Sequence, residues 1–183
     1  MSQYEVRWPR VGAVVAVALF IGFLLWLLVL RDDDDSDAPV TAGGGPALTT
    51  EEELRTLADE LGHPIYWAGP QRNAELEVEQ TEREDVFLRY LTGNATVGDS
   101  REVYLTVGTY PVANAEGALR EQAKQEGSLT NDTPDGGYVL TNEGNPTSVY
   151  IAYPGEDLQI EVYDPDPERA FDLATSGAIR PIE

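Results

Sequence analysis

Few side chains in this sequence can do chemistry, and their spacing narrows the options further. His63 is the single histidine, placed between Gly62 and Pro64. As a general base it needs a nucleophile beside it, and as a metal ligand it needs carboxylates to complete a coordination set. No spacing around it supplies either, so a surface turn histidine is expected. Cysteine is absent, which removes thiolate nucleophiles, disulfides, Cys-based metal sites and a lipid-modified N-terminal cysteine. The serines form neither a Gly-x-Ser-x-Gly elbow nor a Ser-x-x-Lys pair.

Acids are plentiful, with 33 Asp and Glu against 12 Lys and Arg. With so many carboxylates, some pair always lies at a separation suited to glycosidic chemistry. A membrane-anchored hydrolase using acidic residues is therefore the alternative function, without a residue to name for it. "NDTPDGG" at 131–137 places Asn131, Thr133, Asp135 and Gly136 at positions 1, 3, 5 and 6 of a calcium loop. Position 12 is Asn142 instead of the bidentate glutamate. A turn between a helix and a strand explains Pro-Asp-Gly-Gly without a metal. "DPDPE" at 164–168 has two prolines and Arg169 at its sixth position, and "DDDDSD" at 32–37 lacks the loop glycine and the distal glutamate. Catalytic, cofactor-binding and metal residues are accordingly expected to be none. Asn94-Ala95-Thr96 and Asn131-Asp132-Thr133 match the glycosylation acceptor pattern.

Aromatic residues remain. "HPIYWAGP" sets Tyr66 and Trp67 on opposite faces of a strand, so one is expected in the core and the other outside. The outer one is a partner-binding candidate, Trp67 first because tryptophan is frequent among interface anchors. Other tyrosines, among them Tyr90, Tyr104, Tyr110, Tyr150, Tyr153 and Tyr163, fit half-buried strands.

The elements that must position these residues can be read from periodicity. Thr50 with Glu53 is a capping-box pattern, Leu54, Leu57, Ala58 and Leu61 share one helix face, and Gly62 ends the helix. Alternation then predicts strands at 64–68, 75–80, 85–91 and 102–109. Leu76 and Val78 are expected to face in and Glu75, Glu77 and Glu79 out; Val103, Leu105 and Val107 are expected to face in. A second helix is expected over 114–125, strands at 137–141, 148–153 and 157–163, and a last helix capped by Asp166-Pro167 and running to about Thr175. The runs "VFLRYL" (86–91) and "VYIAYP" (149–154) look alike, hinting at a doubled unit. The fold class is α+β: an antiparallel sheet packed with about three helices, behind an N-terminal transmembrane helix.

That helix is expected over Val11 to Leu30, twenty residues without charge. At about 1.5 Å per residue it is roughly 30 Å long, the thickness of a bilayer's hydrocarbon core. Arg7 and Arg10 precede it and Arg31 follows, so the positive-inside bias leaves residues 1–10 in the cytoplasm. The run is longer than a signal peptide's apolar region and ends in "LLVLRDDDD" with no Ala-x-Ala, which favours an uncleaved anchor. Residues 31–47, acidic and glycine-rich, form a linker. Residues 48–183 form the extracytoplasmic domain. Beyond residue 30, which removes Arg7, Arg10 and Glu5 from the count, 10 basic and 32 acidic side chains remain. Such a domain repels polyanions, so nucleic acid is not an expected partner.

With this anchor in front, the runs "HPIYWAGP", "VFLRYLT" and "YLTVGTYPV" resemble a group of single-pass, extracytoplasmic proteins of high-GC Gram-positive bacteria. The resemblance covers about the middle half of the chain and leaves out the acidic segment 32–37. That group has no assigned activity, so it implies location and supplies no catalytic residue. The expected function is an interaction or binding module tethered at the cell envelope. Its partners are the membrane, through the N-terminal helix, and an envelope protein or small ligand, with the oligomeric state open.

Overall fold

The computed structural model describes residues 45–182. The chain divides into Met1–Ser36 and Asp37–Glu183, and every described residue belongs to the second unit. The expected anchor, Val11 to Leu30, lies outside the described residues; among these, no helix is long and apolar enough to cross a membrane.

The domain is α+β, built on an eight-stranded antiparallel sheet. Two serial ladders make it. The first contains β1 (Ala47–Leu48), β3 (Ala74–Gln80), β4 (Val86–Thr92) and β5 (Thr106–Pro111); the second contains β6 (Ser128–Asp132), β7 (Tyr138–Asn142), β8 (Asn145–Ala152) and β9 (Leu158–Tyr163). The order β1-β3-β4-β5-β9-β8-β7-β6 joins the two through their last strands. In that seam Val107 lies opposite Val162 and Thr109 opposite Ile160. The look-alike runs at 86–91 and 149–154 belong to β4 and β8, each one strand away from the seam. A small second sheet pairs β2 (Tyr66–Trp67) with β10 (Arg180–Pro181).

Alternation sends one side chain in two to each face of the main sheet. One face carries Val78, Val86, Leu88, Val107, Val149, Ile151, Ile160 and Val162, all buried. Two helices cover it. The first, α1 (Glu51–Leu61), forms because the Thr50 side chain accepts from Glu53 N while Glu53 answers Thr50 N at 2.7 Å. It ends at Gly62, whose φ of 72° suits a residue without Cβ. Its Leu54 and Leu57 pack among Ile65, Val78, Val86 and Leu88. The last helix, α3 (Pro167–Thr175), is capped by Asp166 with Pro167 at its first position. Its small Ala170 and Ala174 let it lie close over β8 and β9. The middle helix, α2 (Ala115–Gln122), lies on the opposite face, where Ala115 and Leu119 meet Leu140, Tyr150 and Ala152.

Several expectations need correction. Residues 128–132 form a strand, so "NDTPDGG" turns between two strands, β6 and β7, rather than between helix and strand. The fifth strand starts at Thr106, and Val103 lies outside it, half exposed. Glu77 does not face solvent: the segment 93–101 folds over it and leaves it 1% exposed. Tyr66 and Trp67 are both buried, at 3% and 4%. They do point opposite ways, Tyr66 into the larger core cluster and Trp67 into the one under α1. Strand β2 is itself an interior layer, however, so both of its sides are covered and neither ring is left outside for a partner.

Candidate functional site

Converging polar groups from different elements are the mark of a binding site. Among the described residues they occur in a cleft of about 260 Å³ lined by Arg72, Tyr90, Val103, Tyr104, Leu105 and Arg169, with others. Arg72 stands in the loop between β2 and β3, where Asn73 takes a left-handed φ of 56° to close the turn. Tyr90 is a floor residue on β4; its hydroxyl accepts from Ala68 N at 2.8 Å, and burial pushes its pKa up to about 12. Tyr104 and Val103 come from the approach to β5, and Arg169 from the first turn of α3.

Arg169 and Tyr104 are held from behind. Arg169 Nη1 donates to Asp164 Oδ2 at 2.7 Å, and Asp164 is only 2% exposed. Its Nη2 lies 3.5 Å from Gln71 Oε1, while Gln71 Nε2 donates to Ala68 O at 2.8 Å. The Tyr104 hydroxyl donates to Asp99 Oδ2 at 2.7 Å and accepts from Arg101 Nη2 at 2.6 Å. The hydrogen bonds from Arg101 and Tyr104 hold the Asp99 carboxyl well below the usual carboxylate range. Leu105 lies beneath Tyr90 and Tyr104 at 3% exposure, whereas Val103 at the rim is 51% exposed.

Charge singles out this corner of the molecule. Nine Lys and Arg side chains lie among the described residues. Seven are in ion pairs: Arg55, Arg83, Arg89, Arg101, Arg120, Lys124 and Arg169. The other two are Arg72 and Arg180. Arg72 belongs to the 68–73 loop, and Arg180 lies against it, its Nη2 3.7 Å from where a Cβ on Gly69 would stand. In a chain of net charge −21, the two described cations without an ion pair thus lie in and beside the 68–73 loop.

The remaining polar groups are mostly committed to one another. Tyr66 stacks on Tyr153 at 5.6 Å between centroids. Its hydroxyl donates to Glu156 Oε2 at 2.8 Å; burial first, then Glu156, raise its pKa. Tyr153 donates to Asp135 Oδ2 at 3.2 Å, and Thr133 bonds the other oxygen, so the 133–137 turn uses its own carboxylate. On the α2 face, Glu161 accepts from Tyr110 at 2.7 Å and Tyr150 at 3.3 Å. His63 is half-buried in its turn, with Nδ1 3.1 Å from Pro64 O and Nε2 without a partner among the described residues. The carboxyls shifted in opposite directions, Asp85 up through burial and Asp99 down, share no neighbour and form no acid–base couple. No cluster of three or more metal-ligating side chains occurs among the described residues. A broader depression of about 540 Å³ along α3 is lined by residues 166–176 alone, with nothing converging from a second element.

Sequence reasoning named Tyr90 and Tyr104 only as strand tyrosines and missed Arg72, Val103 and Arg169. The one signal, a cation without an ion pair in an acidic chain, belongs to Arg72 alone, and pairing is visible only once the chain is folded. Compared with protein-family models, curated proteins and solved structures, the chain matches none.

Proposed function

We propose that this chain is a binding module of the cell envelope, tethered by the apolar segment Val11–Leu30 with its α+β domain outside the cytoplasm. The tether rests on twenty uncharged residues behind Arg7 and Arg10 and before an acidic run. The observation that carries the binding role is the cleft between the 68–73 loop, the approach to β5 and the start of α3. It combines a half-exposed valine, an arginine without an ion pair among the described residues, and Tyr104 and Arg169 held by hydrogen bonds. Holding Arg169 and Tyr104 in place beforehand lowers the ordering entropy that opposes binding.

A photo-crosslinking side chain at Val103, in the full-length chain in its own membranes, tests the role. An adduct of defined mass is expected, lost when Arg72→Glu is added and absent when the probe replaces the exposed Asp59 on α1. Equal labelling from Val103 and Asp59 refutes the cleft as the binding surface.

A further inference from the structure

We infer that the cleft captures a single carboxylate carried on a short apolar body, the chemistry of an amino-acid-sized acid or a chain's C-terminal residue. The inference rests on the cleft being the binding surface. Three features lead to it. Arg72 has five N–H donors and no ion pair among the described residues, and a guanidinium fork matches the two oxygens of a carboxylate. Arg169 lines the same cleft in an orientation fixed by buried Asp164, so a second donor set is in place before any ligand arrives. Val103 at the rim, half exposed, provides apolar surface beside the cations.

Charge and size narrow the class. The chain's net charge of −21 penalises each added negative charge on a ligand, so a monoanion is favoured over a phosphate dianion or a polyanion. At about 260 Å³ the cleft is below the range of roughly 300–1,000 Å³ common for drug-sized ligands, enough for one residue-sized group. Arg180, beside the 68–73 loop and also without an ion pair among the described residues, adds to the local positive potential.

The test uses the full chain in detergent micelles, ¹⁵N-labelled, following the arginine Nε–Hε signals. Titration with N-acetyl-leucine is expected to shift Arg72 and Arg169 saturably. N-acetyl-leucinamide, the same body without charge, should bind at least tenfold more weakly, and Arg72→Gln should weaken the acid by a similar factor. Arg72 is exposed, and an otherwise unchanged backbone spectrum establishes that the variant is folded. Arg120→Gln, on the opposite face of the sheet, should leave the affinity unchanged. A pentapeptide ending in a free leucine carboxylate separates the sources: tighter binding than N-acetyl-leucine identifies a chain terminus, weaker or equal binding a small acid. Amide and acid binding equally would overturn the carboxylate while leaving the cleft a binding surface. So would inorganic phosphate matching the acid, Arg120→Gln matching the loss in Arg72→Gln, or no saturable shift with any probe while Val103 still crosslinks. Failure of the Val103 crosslink is the separate outcome that removes the binding surface itself.

Discussion

Replacing Glu77 with leucine should destabilise the domain by about 3 kcal/mol, and the structure says where that loss comes from. Glu77 and Arg89 lie directly opposite each other on β3 and β4, with side chains 1% and 18% exposed. Glu77 Oε1 accepts from Arg89 Nε at 2.6 Å, Oε2 accepts from Gly98 N at 2.6 Å, and Arg89 Nη1 reaches Asp99 O at 2.5 Å. Glu77→Leu strands the guanidinium and leaves the Gly98 N–H without its acceptor. Breaking a buried pair costs about 3–5 kcal/mol. Arg89 keeps Asp99 O and some solvent, which places the cost near the low end, and about 1 kcal/mol of it belongs to the amide. For a chain of this size that is a fall in Tm of about 9 °C. Adding Arg89→Met removes the stranded charge and should restore about 2 kcal/mol, because a buried ion pair can be replaced by apolar packing at little net cost. Thermal and guanidinium unfolding followed by circular dichroism read both numbers, and hydrogen exchange over 93–101 should rise in the single variant. A loss under about 1 kcal/mol, or a double variant no more stable than the single, would refute the assignment of the cost to an unpaired buried charge.

Other outcomes follow from the same packing. Ile160→Ala, at the centre of the sheet, and Leu57→Ala, on α1, should each cost about 2–5 kcal/mol in denaturant unfolding, and less than about 1 kcal/mol at both would contradict the core assignment. Stability should fall as the pH rises from 10 towards 12. The unfolded chain ionises its tyrosines near 10, whereas burial pushes Tyr90 and Tyr153 up to about 12 in the fold. A guanidinium midpoint constant across that interval would count against their burial as the cause. External protease on intact cells should release a soluble fragment by cutting within residues 31–47, and a fragment seen only after lysis would reverse the proposed topology.

Legibility in the sequence tracked how local the determining interaction was. The start of α1 was readable because Thr50 and Glu53 cap each other within four residues, and α3 because Asp166 and Pro167 adjoin. Strands with a buried face, such as Leu158–Tyr163, announced themselves by alternation. Strand β6 did not: its residues are largely exposed, and it exists through backbone pairing with β7 rather than through burial. Glu77 was misread because the alternating pattern describes only the sheet, while the segment that buries this side chain comes about twenty residues later. Tyr66 and Trp67 were misread because β10, from the end of the chain, pairs with their strand and Ile182 joins the cluster around Trp67. The cleft was the least legible feature, since its residues come from four separated segments and none carries a motif.

The seam between β5 and β9 has a consequence for the order in which the molecule is made. Strand β5 ends at Pro111, but the strand that completes it begins only at Leu158. During synthesis the first ladder therefore waits with an open edge, Val107 and Thr109 at its centre, while the second ladder emerges. An open edge is a template for the wrong neighbour. The completing strand arrives late in the chain, and α3, which covers it, arrives later still. A nascent chain released before Tyr163 would thus keep its first half in a sticky, half-built condition, and the protein's most vulnerable moment comes just before β9 is inserted in the middle of the sheet.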